Sequence, residues 1–181
     1  MSCPRCHNRG IWFHHDGARC AVCGDLLDCE VPLRVRRVER SVAEFPDEAH
    51  PWRVPLPAYQ TAGAVGLDLH AACETVMWPH CTRLIPVGIA IELRVGYEGQ
   101  IRGRSSLSKL GLIASVGTID SDYRGEIAVI LTNTGPEMHK FFRGDRVGQL
   151  VVAPVARVRV VEVVELEATA RGENGFGSTG R

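Results

Sequence analysis

Leu84-Ile85-Pro86-Val87-Gly88-Ile89-Ala90-Ile91-Glu92-Leu93 carries an apolar side chain at every odd position, with Pro86, Gly88, Ala90 and Glu92 between them. A strand points successive side chains to opposite faces, so this period of two predicts a strand with one buried face. Outward from it, Ile127 to Leu131, Val147 to Val152 and Val158 to Val164 are further apolar, β-branched stretches bounded by Gly, Pro or charged residues, and they read as strands as well. Only Ser105 to Leu110 has the makings of a short helical turn. Many short strands with frequent turn residues predict an all-β sandwich or barrel.

With 181 residues, 45% hydrophobic and 23% charged, the chain has the material for one sizeable domain and a small appendage. Lys+Arg and Asp+Glu both total 21, so no global field draws in a polyanion, which must be gripped locally. No apolar run approaches the roughly 18–20 residues that span a bilayer, and no membrane partner is expected. Met1 to Cys6 lacks the apolar core of a signal peptide. The expected location is the cytoplasm.

The first thirty residues have a different texture. Cys3, Cys6, Cys20, Cys23 and Cys29 cluster there with His7, His14 and His15, and almost no aliphatic run accompanies them. Cys3-Pro4-Arg5-Cys6 and Cys20-Ala21-Val22-Cys23 are two Cys-x-x-Cys knuckles, a spacing whose four thiolates can close a tetrahedral zinc site. Residues 1–31 are therefore expected to form a zinc-binding module resembling a zinc ribbon. Arg5, Arg9 and Arg19 with Trp12 and Phe13 suit contact with nucleic acid or protein, or merely decorate a fold that needs metal to hold together. Cys73 and Cys81 are expected to be ordinary buried small residues.

At the other end, Gly175-Phe176-Gly177-Ser178-Thr179-Gly180 matches the G-x-G-x-x-G dinucleotide fingerprint. That fingerprint works only between a strand and a helix whose amino terminus holds the pyrophosphate, and no helix has room to follow here. Residues 169–181 are expected to be a flexible arm. Its glycine-freed backbone N–H groups, two hydroxyls, one aromatic ring and Arg171 are the parts that wrap a phosphate chain and stack on a base.

Five segments in order carry a resemblance. They are Gly66-Leu67-Asp68-Leu69-His70-Ala71, Arg104-Ser105-Ser106-Leu107, Gly117 to Ile127 (GTIDSDYRGEI), Arg143 to Leu150 (RGDRVGQL) and Arg171 to Gly180 (RGENGFGSTG). Together they resemble the signatures of the trimeric dUTP pyrophosphatase family, over about Leu33 to Arg181. The resemblance implies a dUTPase-like β-barrel of jelly-roll type over residues 32–168. It also implies hydrolysis of dUTP to dUMP and pyrophosphate with Mg²⁺, in a homotrimer with shared active sites.

Carried over residue by residue, the resemblance makes Asp120 the general base for water attacking the α-phosphorus. Gly117, Thr118, Ile119 and Asp120 would present backbone to the uracil edge, and Tyr123 would pack under the deoxyribose and exclude a 2′-hydroxyl. Arg104, Ser105 and Ser106 would grip the phosphates, with Gln149 near the same cradle. Phe176 would stack on uracil while Arg171, Ser178 and Thr179 close over the γ-phosphate. Asp68 would hold waters on a magnesium ion chelated mainly by the triphosphate. Departures from the family pattern include Gly103 and Ser106, where Pro and Gly are commoner.

The Gly103 to Leu112 stretch also resembles dCTP deaminase, which shares the fold. That enzyme needs a glutamate on the strand after the third signature, and Ile127-Ala128-Val129-Ile130-Leu131 has no acid. A nucleotide-sensing regulatory protein is a further alternative, although a pure sensor has no need of Asp120.

Overall fold

The computed structural model describes residues 31–38 and 53–172, together with the backbone of the hairpin formed by β1 (Ile11–His14) and β2 (Gly17–Cys20). The all-β expectation holds. The one helix among the described residues is a single turn, α1 (Ser105–Ser108), within the segment expected to make one.

Two four-stranded antiparallel sheets make the body. One has the order β3 (Arg34–Arg37), β6 (Thr82–Glu92), β10 (Glu126–Asn133), β8 (Leu112–Ala114). The other has the order β4 (Leu67–His70), β12 (Arg146–Pro154), β7 (Tyr97–Arg102), β9 (Gly117–Ile119). A two-stranded sheet of β5 (Thr75–Met77) and β11 (His139–Phe141) lies beside them in the chain.

Ile85, Val87, Ile89, Ile91 and Leu93 are all buried, as their alternation requires. They meet Val129 and Leu131 from β10 and Leu69, Ile101, Val147 and Leu150 from the second sheet in one core. Each such side chain contributes roughly 1.5–3 kcal/mol on burial, and a slip of one residue would turn the whole set outward. The register is thereby fixed.

Two expectations fail. Val158 to Val164 forms no strand; Val158, Val160 and Val164 are 84%, 90% and 108% exposed. β12 ends at Pro154, which has no N–H to continue a ladder, and beyond it the chain meets no strand edge among the described residues. Cys73 is exposed and Cys81 only partly buried.

Candidate active site

Strand register assembles the first half of the site. Gln149 on β12 lies opposite Asp68 on β4 and opposite Arg102 on β7, so the three share one face of the sheet. The neighbouring row, Leu67, Leu150 and Ile101, faces the core instead.

Asp68 is one of two buried polar or charged residues among those described. Its carboxylate accepts a hydrogen bond from Arg146 Nη1 at 3.1 Å, and Arg104 Nε stands 3.7 Å away. Two guanidinium groups against one carboxylate leave a local excess of positive charge, which suits an anion. Arg104 also donates to the Arg146 carbonyl at 3.3 Å, tying β7's exit to β12.

Gln149 Nε2 donates to the Gly103 carbonyl at 3.0 Å and so clamps the same exit. Directly after it, α1 presents Ser105 and Ser106 to solvent and is anchored by buried Leu107. The predicted phosphate-binding residues Arg104, Ser105, Ser106 and Gln149 and the predicted metal-side residue Asp68 are thus gathered at one end of β7. His70 flanks them; burial lowers its pKa below the ordinary 6.5, nearby Asp68 opposes that shift, and Arg146 and Arg104 reinforce it.

The second half lies around β9 and the turn that follows. A cavity of about 250 Å³ is lined by Gly117, Thr118, Ile119, Asp120 and Tyr123, with Leu84, Ile101 and the start of β10 behind them. Asp120 is exposed at this cavity, where a water can reach it. The turn is closed by Tyr123 N donating to the Asp120 carbonyl at 3.1 Å. Arg124 Nη1 braces it from outside by donating to the carbonyls of Ser121 (2.7 Å) and Tyr123 (2.8 Å).

Within one chain the register sets Asp120 and Arg104 apart along β7. Ile119 pairs with Gly99 and Gly117 with Ile101, so Asp120 leaves β9 beside the Glu98 end of β7. Arg102 and Arg104 leave from the other end. From Glu98 to Arg102 alone the strand rises about 13 Å.

The remaining predicted residues divide. Arg171 is exposed at the end of the described chain. Phe176, Ser178 and Thr179 lie outside the described residues, as do Cys3, Cys6 and Cys23, while Cys20 ends β2. Sequence reasoning gave no role to Arg146, although it sits inside the quoted fourth segment; an arginine three residues before Gln149 was the available signal.

The family model described as dUTPase matches residues 53–180. The chain is 50% identical over 129 residues to the deoxyuridine 5′-triphosphate nucleotidohydrolase of Anaeromyxobacter sp. (strain Fw109-5), covering 70% of this chain and 88% of that protein. It is 51% identical over 134 residues to the protein of the same name from Methylocella silvestris, covering 70% and 84%. Among solved structures, the Staphylococcus bacteriophage 80alpha dUTPase with dUpNHpp shares the fold at a TM-score of 0.68 and 24% identity, over 83% of this chain and 99% of that one. With its matched region spanning both halves of the site, the chain belongs to the dUTPase family.

Proposed function

We propose that this chain hydrolyses dUTP to dUMP and pyrophosphate, with Asp120 as the general base. One observation carries the assignment of the base: an exposed carboxylate stands at a small cavity of about 250 Å³ beside Tyr123. A carboxylate there accepts the proton of a water aimed at the α-phosphorus, and pyrophosphate departs toward the arginine-rich cradle. Tyr123 packs against the sugar; at 46% exposure its ring is available to a ligand and is not core. The one acid of β10, Glu126, accepts a hydrogen bond from Gly88 N, and the stretch from Ile127 to Leu131 has none, which leaves a deaminase without its proton carrier.

Magnesium fits as an ion brought by the substrate. Among the described residues no three His, Cys, Asp or Glu side chains gather to hold a cation, and Asp68 already faces two guanidinium groups. Asp68 is suited to accept hydrogen bonds from the ion's waters, and the ion supplies charge neutralisation on the triphosphate.

The working unit is a homotrimer with shared sites. Supporting this, Asp120 and Arg104 leave from opposite ends of β7, an arrangement that favours drawing them from different copies. The arm after Pro154 points the same way. Val158, Val160, Val164 and Leu166 are each more than four-fifths exposed in a segment that forms no strand. An open cleft of about 520 Å³ between the β3 and β4 edges, lined by Leu33, Val35, Leu67 and Val152 among others, offers such side chains cover on a neighbouring copy. Arg171, Phe176, Ser178 and Thr179 at the end of that arm then close the site over the γ-phosphate and base.

Zinc is assigned to the amino-terminal module, held by Cys3, Cys6, Cys20 and Cys23. The pairing of Ile11 with Cys20 in the β1–β2 hairpin supports this, because it returns the second knuckle to within five residues of the first. The module's partner is a protein or a nucleic acid. Elemental analysis finding no zinc per chain would discard the assignment.

The principal test compares pyrophosphate release from dUTP, dCTP, dTTP and UTP with and without magnesium. Asp120→Asn is expected to lower kcat by about 10²–10⁴ while an α,β-imido analogue of dUTP still binds. Undiminished turnover would remove Asp120 from its role.

A further inference from the structure

The turn carrying Asp120 and Tyr123 is tied to the adjacent sheet through one side chain that has no assigned part in the chemistry. Glu126 opens β10, and its Oε1 accepts a hydrogen bond from the backbone N–H of Gly88 at 3.0 Å. That N–H is available because the β6–β10 register shifts between Glu126 and Ala128, a bulge at which Gly88 adopts a φ of +71°. The Gly88 carbonyl in turn accepts from Val38 N at 3.0 Å, so β3, β6 and β10 are joined at this point.

The same residue holds the tyrosine. Tyr123 Oη donates to the Glu126 carbonyl at 3.0 Å. The ring reaches it by lying across Gly125, where a Cβ would stand 2.5 Å from Tyr123 Cζ and 2.9 Å from Cε2. Gly125 thus leaves the space, and the Glu126 carbonyl fixes where the ring stops.

We infer that Glu126 is a positioning residue: its carboxylate, fastened to the Gly88 bulge, sets the placement of Tyr123 and through it the preference for a deoxyribose. This rests on Tyr123 being the sugar-facing group of the proposed dUTP site. A ring held at one end by a hydrogen bond to a fastened backbone cannot retreat from a 2′-hydroxyl; loosened, it can. Misplacement of about 1 Å at such a site is enough to cost catalysis heavily.

The test is steady-state kinetics on dUTP and UTP for the full chain and for three variants. Glu126→Gln keeps an acceptor oxygen at the same reach and is expected to retain the wild-type dUTP:UTP ratio of kcat/KM to within about threefold. Glu126→Ala removes the acceptor, and Glu126→Asp keeps the charge but is one methylene too short. Both are expected to narrow the ratio by about tenfold or more, mainly through a rise in kcat/KM for UTP. If alanine does not fold, the aspartate variant decides. An unchanged ratio in Glu126→Asp, or equal losses on both substrates, would overturn the inference while leaving the dUTP assignment intact. A wild-type chain that does not turn over dUTP would overturn both together.

Discussion

Gly66 and Gln149 occupy each other's space: a Cβ on Gly66 would stand 2.9 Å from Gln149 Cδ and 3.1 Å from its Cβ. The glutamine lies across the glycine to reach the Gly103 carbonyl at 3.0 Å. Gly66→Ala is therefore expected to displace Gln149 and free the exit of β7. The loss of one such hydrogen bond, about 1 kcal/mol, corresponds to a fall of roughly fivefold in kcat/KM for dUTP. Gly66→Ala with wild-type kinetics would show that Gln149 tolerates another path.

Asp68 is enclosed while its partner Arg146 is about half exposed, with side-chain exposures of 10% and 47%. Asp68→Ala leaves two guanidinium groups facing each other without a counter-charge. The expected loss is about 1–3 kcal/mol of stability, below the 3–5 kcal/mol of a fully buried pair because water can still reach Arg146. Chemical denaturation measures it, and magnesium-dependent binding of an imido analogue should weaken in parallel.

Val160 and Val164 of the arm are 90% and 108% exposed. Placing aspartate at both positions costs nothing in an isolated chain but denies the arm an apolar berth on a neighbour. Light scattering behind a sizing column should report a mass near the 19.8 kDa of one chain for this double variant, against three times that for the parent. An unaltered trimer would assign the assembly to other surfaces.

His70 is expected to make the fold sensitive to mild acid. Its pKa lies lower in the folded chain than the ordinary 6.5, chiefly through burial. The unfolded chain therefore takes up this proton first, and stability falls as pH drops below about 6.5 toward the folded value. Above that window the group is neutral in both states and contributes no slope. Melting temperatures between pH 5 and 8 should show the decline, and His70→Asn should flatten it.

The alternation of residues 84 to 93 was legible because burial on one face is a local property, written into successive residues. The apolar, β-branched run from 158 to 164 misled for an instructive reason: such a run records that a segment welcomes cover, and is silent on which chain supplies it. The Asp68–Arg146 pair joins residues 78 apart and depends on a bulge in β12, so nothing adjacent to either residue announced it. Asp120, Tyr123 and Arg104 were legible as chemistry from their short segments. Their separation along β7 was not, because it follows from the pairing of β7 with β9. Glu126 was quoted as part of a segment without a role, since its partner Gly88 lies 38 residues earlier.

That separation along β7 has a genetic corollary. A chain lacking the Asp120 carboxylate and another lacking the Arg104 guanidinium are each dead alone, yet each retains what the other has lost. Co-assembled from denatured mixtures, the two should generate hybrid particles in which some clefts draw both intact groups from different polypeptides. Two null alleles would then complement each other, and the yield of revived clefts would count how subunits meet.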